Sequence, residues 1–259
     1  MQHVNRGEFL STKIYLPSVL EQRRIAELLD RAEALRAKRR AAIAQLDTLT
    51  QAIFLDMFGD PVANHKGWEV SNLSDVATKT TDGTHKTPTY TESGVPFLSA
   101  KDLKEGRIDW NTGKHISRDE HLDLIRRCKA EQGDVLLAKS GSLGTVAIVD
   151  RGGEFSLFES LCLIKQRRDL IEGTYLVHAL RCPTMQALLL RKNKGIAVKH
   201  LHLVDIRDTE IPIPPLHQQH EFGQRVAAIE HLIQMGRTSL SALEGLFGSL
   251  QSRAFSGEL

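Results

Sequence analysis

The stretch IYLPSVLEQRRIAELL at 14–29 falls without a gap on IPIPPLHQQHEFGQRV at 211–226 when the chain is shifted by 197 residues (211 minus 14). The match continues through Glu33/Glu230, Leu35/Leu232, Arg40/Arg237, Leu46/Leu243, Leu49/Leu246 and Phe58/Phe255, and upstream at His3/His200 and Thr12/Thr209. With Ile14/Ile211, Pro17/Pro214 and Gln22/Gln219 this makes 11 identities over positions 1–59, where ordinary residue frequencies give roughly 3–4. The apolar positions coincide too, so the chain contains an internal repeat.

Each copy reads as one long helix. In the first, Ser18 and Glu21 form a capping box after Pro17, and no Gly or Pro follows until Gly59. Leu29, Ala32, Ile43, Leu46 and Ile53 keep a heptad-like stripe. In the second, Pro214 and Pro215 fix the start, and Val226, Ile229, Ile233, Leu240, Leu243, Phe247 and Leu250 repeat the stripe. Gly223, Gly236, Gly245 and Gly248 lower its intrinsic propensity, so packing must hold it. Arg39 and Gly236 occupy equivalent positions and interrupt both stripes, which predicts a polar or thin layer there. Forty residues at 1.5 Å each give a rod of roughly 60 Å.

Residues 60–210 have a different texture, rich in Gly, Ser, Thr and short apolar runs. GVPFLSA, GDVLLAK and TVAIV read as strands, with Ser140-Gly141-Ser142-Leu143-Gly144 as the turn between the last two. Residues 174–190 have helical apolar spacing. The expected fold is α+β: a mixed globule flanked by two long helices that pair antiparallel, like a coiled coil, through Leu46, Ile53, Ile233, Leu240 and Leu243. The expected divisions are a tail at 1–17, the first helix at 18–58, the globule at 59–210 and the second helix at 211–259.

Composition bounds the function. Of 259 residues 41% are hydrophobic and 25% charged, with no apolar run of membrane-spanning length. The N-terminus lacks an apolar signal core. Cys128, Cys162 and Cys182 are odd in number and form no CxxC pair, which points to a reduced, cytoplasmic protein without a disulfide framework. A net charge of +2 is too small to announce a polyanion partner by bulk charge. Binding to nucleic acid must come from local surfaces.

Enzyme signatures are missing. Residues 141–144 lack the spacing of a phosphate loop, Ser142 is not in a GxSxG elbow, and no HExxH occurs. No Asp/Asn-Pro-Pro-aromatic tetrapeptide of an amino-methyltransferase is present. His200 and His202 alternate, so a metal pair is conceivable, but polar surface histidines are the better reading. Three polar loops remain: Thr84, His85 and Lys86; Lys139, Ser140 and Ser142; and Lys192, Lys194, Lys199 and His200. Their side chains suit phosphates and base edges, with Lys192 and Lys194 assigned to phosphates. Arg36, Lys38, Arg39 and Arg40 on the first helix would touch phosphates or an acidic partner, or stay solvated.

With these residues in view, the chain resembles the specificity (S) subunit of type I restriction-modification systems, HsdS. IYLPSVLEQRRIAELLD and IPIPPLHQQHEF are similar to the starts of that family's two spacer helices, with Pro-x-x-x-x-Gln in each. TDGTHKTPTY, GVPFLSAKDL, CKAEQGDVLLAKSGSLGTVAIV and KGIAVKHLHL resemble landmarks of its target-recognition domain, and RAFSGEL its C-terminus. The family alternates two recognition domains with two helices; one globule is present here. The resemblance therefore implies the C-terminal half of such a subunit, or a half-sized version that dimerises, with 1–17 similar to the end of a preceding recognition domain. It implies double-stranded DNA as ligand and no catalysis by this chain. It also implies modification (adenine-N6 methyltransferase) and restriction (ATP-dependent nuclease) subunits as partners, together with a second copy of itself or another half-subunit. S-adenosylmethionine, ATP and Mg would sit on those partners, and no cofactor on this chain. The competing readings are a coiled-coil scaffold without base readout, and a small nuclease or methyltransferase.

Overall fold

The computed structural model describes residues 6–11, 16–191 and 200–256. Its elements in order are α1 (Arg6–Ser11), α2 (Val19–Phe58), β1 (Glu69–Asn72), β2 (Ala77–Asp82), β3 (Tyr90–Thr91), β4 (Val95–Leu98), a 3-10 turn (Ala100–Asp102), β5 (Leu103–Lys104), β6 (Arg107–Ile108) and β7 (His115–Ile116). There follow α3 (Arg118–Ile125), β8 (Val135–Ala138), β9 (Val146–Ile148), β10 (Ser156–Leu157), β11 (Leu161–Gln166), α4 (Gly173–Arg181), α5 (Pro183–Arg191), α6 (Leu203–Arg207), β12 (Glu210–Ile213) and α7 (Leu216–Ser256). The fold is α+β, with long helices towards both ends. Two compact units divide it, one of Met1–Leu49 with Ala228–Leu259, the other of Thr50–Ala227. The division falls inside both long helices, because the apolar residues at the end of α2 and the start of α7 belong to the core of the second unit.

In the helical unit, only half of the expected capping box of α2 forms: the Glu21 amide donates to Ser18 Oγ at 3.2 Å, while Glu21 Oε1 is buried without a hydrogen bond, and Gln22 Nε2 donates to Pro17 O at 2.9 Å. A stripe of buried and half-buried positions on α7 runs Ile229, Ile233, Gly236, Leu240, Leu243, Phe247, Leu250 and Ala254, alternating steps of four and three, with Arg237 and Ser239 half-buried beside it. That period of 3.5 is the coiled-coil repeat. The partner stripe on α2 includes Leu29, Ala32, Arg36, Ile43 and Leu46. The direction is antiparallel. Arg36 lies over the Phe247 ring at 4.4 Å, Arg40 bonds Glu244 at 3.0 Å, and a Cβ on Gly236 would stand 3.0 Å from Ile43 Cγ1. The thin layer is therefore Gly236 against Ile43. Of the expected seam residues Ile233 is buried and Leu46, Leu240 and Leu243 are half-buried; Ile53 packs in the globule instead. Arg36 and Arg40 are used within the pair, Arg36 also bonding Glu33.

The two flanks of this seam differ. Arg40 and Glu244, each one residue after a seam position, pair on one side. On the other, the residues just before seam positions are Leu35, Ala42 and Leu49 on α2 and Leu232, Ser239 and Leu246 on α7. All four leucines there are about half exposed.

In the globule, one antiparallel sheet has the order β2-β11-β8-β9 and a second, mixed sheet the order β10-β4-β7-β3. β8 and β11 are continuous apolar runs because both faces are covered. Val135, Leu137, Cys162 and Ile164 face one cluster, and Leu136, Ala138, Leu161 and Leu163 the other, as a period of two requires. The turn 140–144 joins β8 to β9 as a hairpin. β1 pairs antiparallel with β12, Glu69 opposite Ile213, so the chain leaving α2 and the chain entering α7 are zipped together. Phe54, Phe58, Tyr175 and Phe222 interlock there at ring distances of 4.9–5.7 Å. Gln219 repeats the role of Gln22, donating to Pro214 O at 2.7 Å, and its Oε1 accepts the Glu172 amide at 2.8 Å. The single helix expected over 174–190 is two. Cys182 takes an extended ψ of 135°, since Pro183 forbids the helical conformation before it and cannot donate an amide proton.

His178 stacks within this aromatic cluster, 5.1 Å from Phe222. Burial, helped by the Arg181 charge, pushes its pKa down to about 3 from 6.5. The unfolded chain therefore takes up a proton below pH 6.5 that the folded chain refuses. Stability is complete above that pH and falls below it, by about 2 kcal/mol at pH 5. His178→Phe is expected to remove most of that loss in denaturant unfolding measured at pH 5 and pH 7. An unchanged pH slope in the variant would show that His178 is not its source.

Candidate nucleic-acid interface

The site grows out of β2. Its last residue, Asp82, is 2% exposed, and the following Gly83 is required by close approach: a Cβ there would stand 2.0 Å from Leu157 O. Next to it the Thr84 amide donates to Leu157 O at 2.9 Å and the Glu159 amide to Thr84 O at 3.0 Å. Thr84 Oγ1 accepts the Lys86 amide at 3.1 Å. The loop is thus stitched to itself and to the chain between β10 and β11, leaving His85 and Lys86 exposed at its tip.

The second loop starts at Lys139, at the end of β8. Its amide donates to Ser160 O at 2.8 Å and its carbonyl accepts the Leu201 amide at 2.9 Å. Ser140 bridges His200. Ser142 Oγ donates to Ala100 O at 2.7 Å, and Ser160 Oγ accepts the Ala100 amide at 3.0 Å. Gly141 and Gly144 turn the hairpin at φ of +73° and +81°, conformations that suit glycine.

One carboxylate ties these loops together. Asp82 Oδ2 accepts from Lys139 Nζ at 2.6 Å and lies 3.1 Å from His85 Nε2, while Oδ1 accepts from Arg127. Burial opposes the charged carboxylate, but the Lys139 bond and the Lys139, His85 and Arg127 charges outweigh it, and the Asp82 pKa is lowered. Glu159 is the next carboxylate, its Oε2 at 4.0 Å from Lys139 Nζ. His200 has its pKa lowered, chiefly by burial and then by Lys139. A neutral imidazole presents one donor and one acceptor.

The structure thus brings Thr84, His85, Lys86, Lys139, Ser140, Ser142 and His200 into one cluster. It changes the role of Lys139. Lys139 is 2% exposed and its ammonium is bonded to Asp82, so it braces the loops from inside and does not project to a ligand. Lys192, Lys194 and Lys199 lie outside the described residues. Sequence reasoning passed over Asp82, Arg127 and Ser160. The available signal was the aspartate before Gly83 in an otherwise uncharged or basic loop. Among the described residues no group of three or more His, Cys, Asp or Glu is placed to hold a metal ion, and no helix is long and apolar enough to cross a membrane. Cys128, Cys162 and Cys182 are free and buried.

Residues 65–244 match the family model described as type I restriction modification DNA specificity domain. The chain belongs to that specificity family. Two curated members illustrate the distance. The EcoBI specificity subunit of Escherichia coli is 24% identical over 291 residues, covering 100% of this chain and 61% of its own length. The MjaVIII specificity subunit of Methanocaldococcus jannaschii is 22% identical, covering 99% and 64%. This chain therefore spans about three fifths of the relatives it matches. The HsdS subunit from Thermoanaerobacter tengcongensis has the same fold, with a TM-score of 0.56 at 21% identity over 100% of this chain and 64% of that one. A chain in a structure describing complex assembly of the type I R-M system gives 0.67 at 22% identity, covering 99% and 64%.

Breaking a buried ion pair by removing one partner costs roughly 3–5 kcal/mol. Asp82→Asn, which takes the close carboxylate from the buried Lys139 ammonium, is expected to approach that loss in chemical denaturation, and Lys139→Met to lose less, because Asp82 keeps Arg127 and His85. The double variant should lose clearly less than the two together, because neither charge is then left alone. Simple additivity would show that the pair is not coupled.

Proposed function

We propose that this chain reads one half of a bipartite DNA site through the loop cluster and docks methyltransferase subunits through its paired helices, without catalysis of its own. The observation that carries the reading is the convergence of residues 82–86, 139–142 and 200 on one buried ion pair. Such a base fixes exposed polar side chains in the geometry that base readout needs. S-adenosylmethionine, ATP and Mg would serve the partner subunits. A second globule, from another copy or another half-subunit, would read the other half-site. Two copies about a twofold axis would read a palindromic bipartite site.

Lys86, exposed at the tip of its loop, is a base contact in this reading, and Lys192 a phosphate contact. With the cognate methyltransferase, mapping methylated adenines by single-molecule sequencing gives the site. Lys86→Ala is expected to cost about 1–3 kcal/mol of discrimination, and Lys192→Ala to weaken cognate and scrambled DNA alike while flattening the salt slope by about one unit. Equal behaviour of the two variants would defeat this division of labour.

The apolar flank of the helical unit supports docking. Leu35 and Leu49 correspond in the repeat to Leu232 and Leu246, so the flank offers two similar surfaces. Leu49→Glu with Leu246→Glu should leave stability within about 0.5 kcal/mol per site, as surface changes do, yet abolish co-purification with the methyltransferase. Retained co-purification would place docking elsewhere.

A further inference from the structure

The loop cluster contains two carboxylates facing Lys139, and only one is used up. Asp82 takes the 2.6 Å bond and its side chain is 3% exposed. Glu159 stands 4.0 Å from the ammonium, beyond hydrogen-bond distance, with its side chain a quarter exposed. Its backbone is pinned from both sides. The Phe158 amide donates to Leu98 O at 2.8 Å, the Glu159 amide to Thr84 O at 3.0 Å, and Ser160 O accepts from Lys139 at 2.8 Å. The side chain therefore starts from a rigid point between the Thr84 and Ser140 loops and has acceptor capacity left over.

A carboxylate on a DNA-facing surface is repelled by phosphates, so it weakens binding unless it meets a donor. Ionised, it can only accept. In the major groove cytosine shows an amino donor alone, whereas adenine sets an acceptor, N7, beside its amino group. We propose that Glu159 determines one position of the recognised half-site by accepting from the N4 amino group of a cytosine. This rests on the loop cluster being the DNA interface.

The test is selection from a randomised duplex library by the complex with its methyltransferase, using wild type, Glu159→Gln and Glu159→Ala. Wild type is expected to select a motif with one cytosine that depends on Glu159. In Glu159→Gln the preference there should move from cytosine to adenine, which an amide pairs through N6 and N7. The cytosine-to-adenine ratio should change roughly five- to 150-fold. Glu159→Ala should leave that position open, and all other positions should stand in both variants. Removing one negative charge should also raise affinity for scrambled duplex.

If Glu159 is only a second counter-charge for Lys139, both variants melt earlier or bind all sequences more weakly while every position of the motif stays as in wild type. That outcome overturns the proposal and leaves the DNA reading intact, provided that Lys86→Ala still alters the motif. A wild-type complex that selects no motif overturns both.

Discussion

The arrangement of the 82–86 and 139–142 loops depends on a charge pair whose side chains are almost wholly buried. Taking an ammonium and a carboxylate out of water costs several kcal/mol per ion, and their attraction recovers this only with close geometry and further bonds. Asp82 has both: Lys139 and His85 at one oxygen and Arg127 at the other. Lys139 is in turn held by its backbone to Ser160 and Leu201. An apolar pair of the same volume would fill the space, but it would not dictate direction. The ion pair and its attached bonds admit one arrangement of the 82–86 and 139–142 loops. Rigid loops lose less entropy on binding, so if they read DNA as proposed, a wrong base would meet side chains that cannot shift to accommodate it.

The helical unit obeys a different constraint. Its seam repeats every 3.5 residues, and where both stripes would be interrupted a glycine admits Ile43. Because the two helices are copies of one another running antiparallel, each flank is approximately symmetric. One flank is spent on the Arg40–Glu244 pair. The other carries leucines that no described residue covers well, a distribution that costs solubility unless something binds it.

What the sequence discloses follows the range of the interactions. The repeat, the caps at Ser18 and Pro214, the β8–β9 hairpin and the identity of the polar loops rest on local spacing, and they are visible in the residues alone. The Pro183 break is local as well and should have divided the segment 174–190. The Asp82 hub is not local. Its members lie at 82, 85, 127 and 139 and meet only because β2 and β8 flank β11 in the sheet. Lysine is almost never fully buried unless paired, so Lys139 reads as a surface cation until Asp82 is placed beside it.

That misplacement changes the chemistry of the surface. With Lys139 turned inward, the basic character of the described loops falls to Lys86 and Arg127, and the latter is half committed to Asp82. The cluster is then closer to electrical balance than its sequence implies, in keeping with a globule whose basic and acidic residues nearly cancel. A phosphate brought to the centre of the cluster would be attracted correspondingly weakly. A centre poor in net charge binds random duplex weakly, so in the proposed reading more of the affinity would come from hydrogen bonds to base edges. Such bonds would form only with the right sequence, which is the balance that the proposed reading of DNA requires.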